Sequence, residues 1–270
     1  MGKIFELKEV DSTNSWMERN LADLGHGDTV VALSQTAGRG QRGNSWEAVP
    51  GKNLLFSMFV HTGIDPNQQF LLSESVCLAV ATVVRQALAE AVPASEVKVK
   101  WPNDVYVGDR KIAGILIQNG VGRDRHGNAT LRHSIIGVGL NVNQTEWSEA
   151  VPNPVSLAML AHKEFSVPEL FRALQQEIML RIENVNAPFF ALPQHEEYLR
   201  SLWRHDGQPH LFAVPADAVH PFHEGDEVKE TFEATILDVD LSGMLTLSLP
   251  DGQEREYTFK EVTFILGGVS

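Results

Sequence analysis

One cysteine, Cys77, stands in 270 residues, so the chain forms no internal disulfide, and that scarcity agrees with a reducing compartment. Cys77 falls in an apolar helical stripe with Leu72, Val76, Ala79, Val80, Val83, Val84 and Ala87, which marks it as a core thiol rather than a nucleophile. Positive charge is scarce too. The 22 Lys and Arg against 35 Asp and Glu give a net charge of -13, and a phosphate backbone needs clustered positive charge, so nucleic acid is not an expected partner. No uninterrupted apolar run approaches the roughly 20 residues that cross a bilayer, so a membrane is not expected either. The opening Met1-Gly2-Lys3-Ile4-Phe5-Glu6 lacks the apolar region and cleavage site of a secretory signal, and the cytoplasm is the expected location. His205, His210, His220 and His223 lie close together, but without cysteines or ligand spacing they are not read as a zinc site, and no structural metal is expected.

The length favours one large domain plus a small one. Twelve acids against three bases between Asp217 and Glu261 place -9 of the charge there, and this shift marks the boundary. We read residues 1–204 as the large domain and 205–270 as a small β-barrel. In the large domain, residues 3–8, 29–33, 53–60, 97–101, 105–107, 111–118 and 134–141 read as strands. Asp11-Ser12-Thr13-Asn14 supplies N-caps for a helix to about Ala22, Pro66 opens a helix to about Glu90, residues 156–160 form a short helix, and Pro168 begins one to about Val185. Strands and helices interleave, with hairpins, which predicts an α+β or α/β domain built on a mixed sheet covered by helices. After Trp203 short β segments follow, such as 233–239 and 245–249, with a turn at Pro250-Asp251-Gly252.

Residues 35–52 contain four glycines and little periodicity, an unusually long loop of the kind that carries function. Within it, Gly38-Arg39-Gly40-Gln41-Arg42-Gly43 lets backbone N–H groups approach an anion, while Arg39 and Arg42 supply multidentate charge. The segment reads as a phosphate cradle or as a plain surface loop; no GKS or GKT completes a P-loop. Lys100-Trp101-Pro102-Asn103-Asp104 reads as an exposed turn carrying Asn103 and Asp104, and a hairpin then returns Lys111 into the apolar strand Ile112-Ala113-Gly114-Ile115-Leu116. A lysine so placed either finds an anionic partner or snorkels to solvent. Gly137-Val138-Gly139-Leu140-Asn141 puts glycines where a ligand or another backbone comes close, or at a bulge.

Taken in order, Asp11-Ser12-Thr13-Asn14, Gln35-Thr36-Ala37-Gly38-Arg39-Gly40, Lys100 to Asp104, Lys111 to Leu116 and Gly137 to Asn141 resemble the motifs of biotin protein ligases, over essentially the whole chain but more loosely beyond Asn143. The resemblance implies a sheet related to class II aminoacyl-tRNA synthetases and a C-terminal SH3-like barrel. It implies an enzyme that uses ATP and Mg2+ to adenylate biotin, then transfers it to a lysine of a biotin carboxyl carrier protein or domain. Ser12, Thr13, Asn14 and Gln35 would hold the ureido ring, with Gly38, Gly40, Gln41 and Gly114 also lining biotin. Arg39 and Lys111 would be catalytic, at the carboxylate and α-phosphate. Arg42, Gln41, Trp46, Asn103, Asp104 and Asn141 would serve ATP, with Trp46 stacking on adenine as the loop closes. Where the family commonly reads Gly-Arg-Gly-Arg, Gln41 brings hydrogen bonds but no charge. Residues 3–11 lead straight into the catalytic part, so a DNA-binding repressor role is not expected. A lipoate or octanoyl ligase of the same superfamily and a non-catalytic biotin-binding module are the competing readings. The particular acceptor, the role of the barrel and the choice between monomer and homodimer stay open.

Overall fold

The apolar run Leu-Leu-Phe-Ser-Met-Phe-Val forms the strand β3 (Leu54–Val60), buried at every position because helices cover both faces of its sheet. The computed structural model describes residues 2–40, 45–187, 189–216, 228–259 and 261–265. Around β3, a seven-stranded mixed sheet takes the order β1-β2-β3-β7-β6-β5-β4. Its other strands are β1 (Ile4–Val10), β2 (Thr29–Gln35), β4 (Val97–Lys100), β5 (Asp104–Val107), β6 (Arg110–Arg123) and β7 (Ala129–Leu140). β1 and β2 pair in parallel and the remaining neighbours antiparallel.

Helix α1 (Thr13–Arg19) lies on one face, where Met17 packs with Val30, Phe59 and Ile135. The opposite face carries the main core against α2 (Phe70–Ala87) and α4 (Val167–Asn184), with α3 (Leu157–Ala161) and α5 (Ala191–Ser201) beside them. Ser12 caps α1 by accepting from Ser15 N at 3.5 Å, and Asp65 receives Asn67 N at 2.8 Å where Pro66 starts the turn leading into α2. The helical stretch Pro66–Ala87 is long and apolar enough to cross a membrane, although polar residues interrupt it before any apolar run reaches that length; 72% of its most apolar window is buried, as in a core helix.

Two differences from the sequence reading have physical causes. The β6–β7 hairpin runs much further than residues 111–118 and 134–141, because its outer half is polar and only half-buried and so lacks alternation. Helix α5 is absent from the sequence expectations: it buries only Gln194, Tyr198 and Ser201, too few apolar positions to register as a stripe.

A second sheet, wholly antiparallel, has the order β11-β10-β9-β8-β12, with β8 (His210–Pro215), β9 (Val228–Val239), β10 (Leu245–Ser248), β11 (Glu254–Tyr257) and β12 (Thr263–Phe264). Aromatic rings seam it to the first: Trp101 against Phe259 at 5.4 Å and Trp203 against Phe264 at 5.2 Å. One hydrophobic core runs through both sheets.

Candidate functional site

Strand alternation puts Ser57 of β3, Gly137 and Gly139 of β7, and Gly114, Leu116 and Gln118 of β6 on the α1 face, since Ser57 pairs with Gly137 and Gly139 with Gly114. The first turn of α1 lies over the upper end of this strip. Asn14 sits so close to Gly137 that a Cβ there would fall 2.1 Å from Asn14 Oδ1. Its amide donates to Gln118 Oε1 at 2.7 Å and to Leu116 O at 3.3 Å, while Ser57 Oγ lies 2.6 Å from Asn14 Oδ1 and 2.8 Å from Thr13 Oγ1. Gln35 Oε1 accepts from Thr13 N at 2.7 Å and from Thr13 Oγ1 at 3.1 Å. Ser12, Thr13, Asn14 and Ser57 are all buried, so this end is a cluster of uncharged, mutually paired donors and acceptors, edged by the Glu18 carboxylate to which Gln118 Nε2 donates. Ser57 and Gln118 were missed by the sequence reading. Ser57 carried a signal, being the one polar side chain in an otherwise apolar buried strand.

At the other end stands a cation. Lys111 Nζ pairs with Asp104 Oδ2 at 2.7 Å, with the two side chains only 30% and 21% exposed. The hairpin achieves this through a register shift: Val105 pairs with Ala113 but Tyr106 with Lys111, so Ile112 is surplus to the ladder and fully buried. Such a bulge re-aims the neighbouring side chain, and Lys111 reaches back over Gly114 to Asp104.

Between the two ends, Gly114 and Gly139 floor a lane that the Trp46 indole covers. A Cβ on Gly139 would lie 2.4 Å from that ring and one on Gly114 2.8 Å, so only glycine admits it. Lys111 Nζ stands 5.7 Å from the Trp46 ring centre, and the buried Trp46 Nε1 has no hydrogen-bond partner among the described residues. Trp46 is held at the loop stem by its N–H to Gly38 O at 2.9 Å, and Gly38 tolerates no side chain because Trp46 O would lie 2.5 Å from its Cβ. The stem is fastened on both sides: Ala37 N donates to Asp11 O at 2.8 Å and Val49 N to Gln144 Oε1 at 2.9 Å. Glu47 accepts from Ser148, which lowers its pKa, and the Arg19 guanidinium holds Asp11 down to about 2.

Other expected residues are placed differently. Asn103 is buried, not part of an exposed turn, and its amide donates to Ile115 O while its own carbonyl receives Ile115 N at 3.2 Å. Asn141 is buried as well; Nδ2 donates to Val155 O at 3.1 Å, and Oδ1 has no partner among the described residues. Arg39 turns to α1, donating to Ser15 Oγ at 3.2 Å and pairing with Glu18 at 3.4 Å, rather than joining Lys111. Gly40 is the last described residue before position 41, and Gln41 and Arg42 lie outside the described residues. His205 bonds the carbonyls of Leu199 and Leu237, and His210 bonds Asp206, while His220 and His223 lie outside the described residues.

The polar cluster, the glycine lane and the lysine all lie on the part of the chain that matches a known pattern: the chain belongs to the biotin/lipoate A/B protein ligase family, whose pattern matches residues 6–141. Among individual relatives, it is 36% identical over 152 residues to the bifunctional ligase/repressor BirA of Escherichia coli, covering 56% of this chain and 44% of that one. It is likewise 36% identical over 132 residues to the biotin--[acetyl-CoA-carboxylase] ligase of Mycobacterium tuberculosis, covering 48% of this chain and 45% of that one. The chain thus spans less than half the length of these relatives. In architecture it is similar to the biotin protein ligase of Aquifex aeolicus in complex with biotin and ATP, with a TM-score of 0.73 at 20% identity over 99% of this chain and 100% of the other.

Proposed function

We propose that the protein is an ATP-dependent biotin ligase, adenylating biotin and passing it to a lysine of a biotin carboxyl carrier protein or domain. The observation that carries this reading is the strip from Asn14 to Lys111. An uncharged cluster that pairs donors with acceptors suits a ureido ring, and the glycine floor, set off from it by the two residues or about 7 Å of β7 between Gly137 and Gly139, suits a slender acyl chain ending in a carboxylate. The names of the relatives point the same way.

In the first step a carboxylate oxygen attacks the α-phosphorus of ATP, the bond to pyrophosphate breaks, and a mixed anhydride remains. Two anions must meet, so the ammonium of Lys111 belongs between them, drawn from its resting partner Asp104. Arg39 leaves Glu18 to join it, and Trp46 vacates the lane to stack on adenine, which frees from burial an N–H that has no partner among the described residues. In the second step the acceptor amine attacks the acyl carbon and AMP departs, so no enzyme nucleophile is needed, and Cys77 is buried with its thiol pushed up. Among the described residues no three His, Cys, Asp or Glu gather as a metal cluster. The Asp104 carboxylate and Asn141 Oδ1, which has no partner among the described residues, are the groups that would hold Mg2+, and the ion would screen phosphate charge there. The buried free thiol accords with work in the cytoplasm.

Pyrophosphate exchange tests the reading. Biotin should drive exchange of labelled pyrophosphate into ATP; exchange with lipoate alone would replace biotin by that acid. Lys111→Ala should stay folded and lose about 10²- to 10³-fold in exchange rate, the effect of removing one preorganised donor.

A further inference from the structure

Asp104 is bracketed in sequence by two aromatic side chains: Trp101, which meets the second sheet directly, and Tyr106, which reaches it through Trp203. Trp101 is 4% exposed, stacks on Phe259 of that sheet at 5.4 Å and donates its indole N–H to Gly243 O at 3.0 Å. Tyr106 packs on Trp203 at 5.2 Å, and Trp203 on Phe264. The receiving turn is built for this contact. Asp240 Oδ1 accepts from the N–H groups of Ser242 and Met244 at 2.9 Å each, and Gly243 adopts φ +91° with no room for a side chain, since a Cβ would lie 2.6 Å from Phe70.

We propose that Trp101 and Gly243 are positioning residues through which the second sheet fixes the Asn103-Asp104 turn, and with it the nucleotide end of the site. The ring pocket is supported separately, by α1, Ser57 and Gln118, and its hydrogen bonds run to β2, β3 and β6 rather than to the second sheet. The two ends of one site share β6, and the second sheet braces the nucleotide end in addition. Loosening the Trp101 contact moves Asp104, and through it Lys111, while leaving Thr13, Asn14 and Gln35 in place.

The inference rests on the proposed adenylation, and wild-type exchange activity tests that reading first. With wild type active, the KM values for ATP and biotin are measured in Trp101→Phe, which keeps a ring and loses the N–H, and in Gly243→Ala. Ser242→Ala serves as control, being in the same turn with a hydroxyl that donates to Asp240 rather than to Trp101. We expect KM for ATP to rise about fivefold in Trp101→Phe, the effect of one buried hydrogen bond, with KM for biotin unchanged and Ser242→Ala like wild type. Trp101→Phe decides the matter even where Gly243→Ala folds poorly. Unchanged KM for ATP, or a parallel rise in both constants, would overturn the proposal.

Discussion

Gly137 and Gly139 both face the site from β7, yet their neighbours differ in freedom. Asn14, over Gly137, is tied to Ser57, Gln118 and Leu116 on two strands, so it cannot yield without moving α1. Trp46, over Gly139, is fastened through its backbone, and its indole makes no hydrogen bond among the described residues, so the ring can turn aside while the stem stays in place. Gly137→Ala should therefore cost about 1–3 kcal/mol as an overpacked contact and abolish biotin binding in a calorimetric titration. Gly139→Ala should leave urea-unfolding stability within about 0.5 kcal/mol of wild type; equal losses in both variants would contradict the distinction. At this scale the residue types of the site are legible in the amino-acid sequence, because glycines in strands and a lysine in an apolar hairpin are anomalies that need a reason. Their partners are not. That Lys111 rests on Asp104 depends on a one-residue bulge, and the burial of Asn103 depends on its bond to Ile115, neither of which leaves a mark in local sequence.

Helices α2 and α5 meet through a buried pair that the functional site does not use. Glu74 is fully buried, its carboxyl pushed up by desolvation, and Oε1 bonds His195 Nδ1 at 2.7 Å while Oε2 lacks a partner among the described residues. His195 is raised above its ordinary 6.5 by that hydrogen bond to Glu74, with Asp238 and Asp240 of the second sheet adding to the effect. Both groups bind their proton more tightly in the folded than in the unfolded chain. Folding therefore takes up protons, and the stabilisation from His195, complete below its ordinary 6.5, is lost as pH rises through the elevated value. Thermal midpoints should fall over that range, and Glu74→Gln, which removes the anion, should flatten the decline; an unaltered slope in that variant would refute the role. The same helix pair shows why elements differ in legibility. α2 announces itself by an apolar stripe and Pro66, whereas α5 is recognisable only through the α2 groups that its Gln194 and His195 engage.

At the scale of the molecule, charge and core tell opposite stories. The acids crowd into residues 217–261 and leave the rest near neutrality, a contrast that separates the two sheets on paper. The packing joins them: Phe70 touches Phe259, Trp101 donates to Gly243 O, Trp203 rests on Phe264, and Arg204 donates to Ile265 O at 3.2 Å. Aromatic side chains bury roughly 150–250 Å² each, so parting the sheets would expose several such surfaces at once. Continuous apolar burial of this kind makes unfolding cooperative. In scanning calorimetry the whole chain should therefore melt in one transition whose van't Hoff and calorimetric enthalpies agree, and tryptophan fluorescence, reporting the seam, should follow the same curve as far-UV circular dichroism. Trp203→Ala, which removes the ring that touches both Tyr106 and Phe264, should lower that single midpoint without splitting it. Two resolved transitions in the wild-type chain would mean that the acidic sheet folds by itself and that the aromatic seam is only a contact between independent bodies.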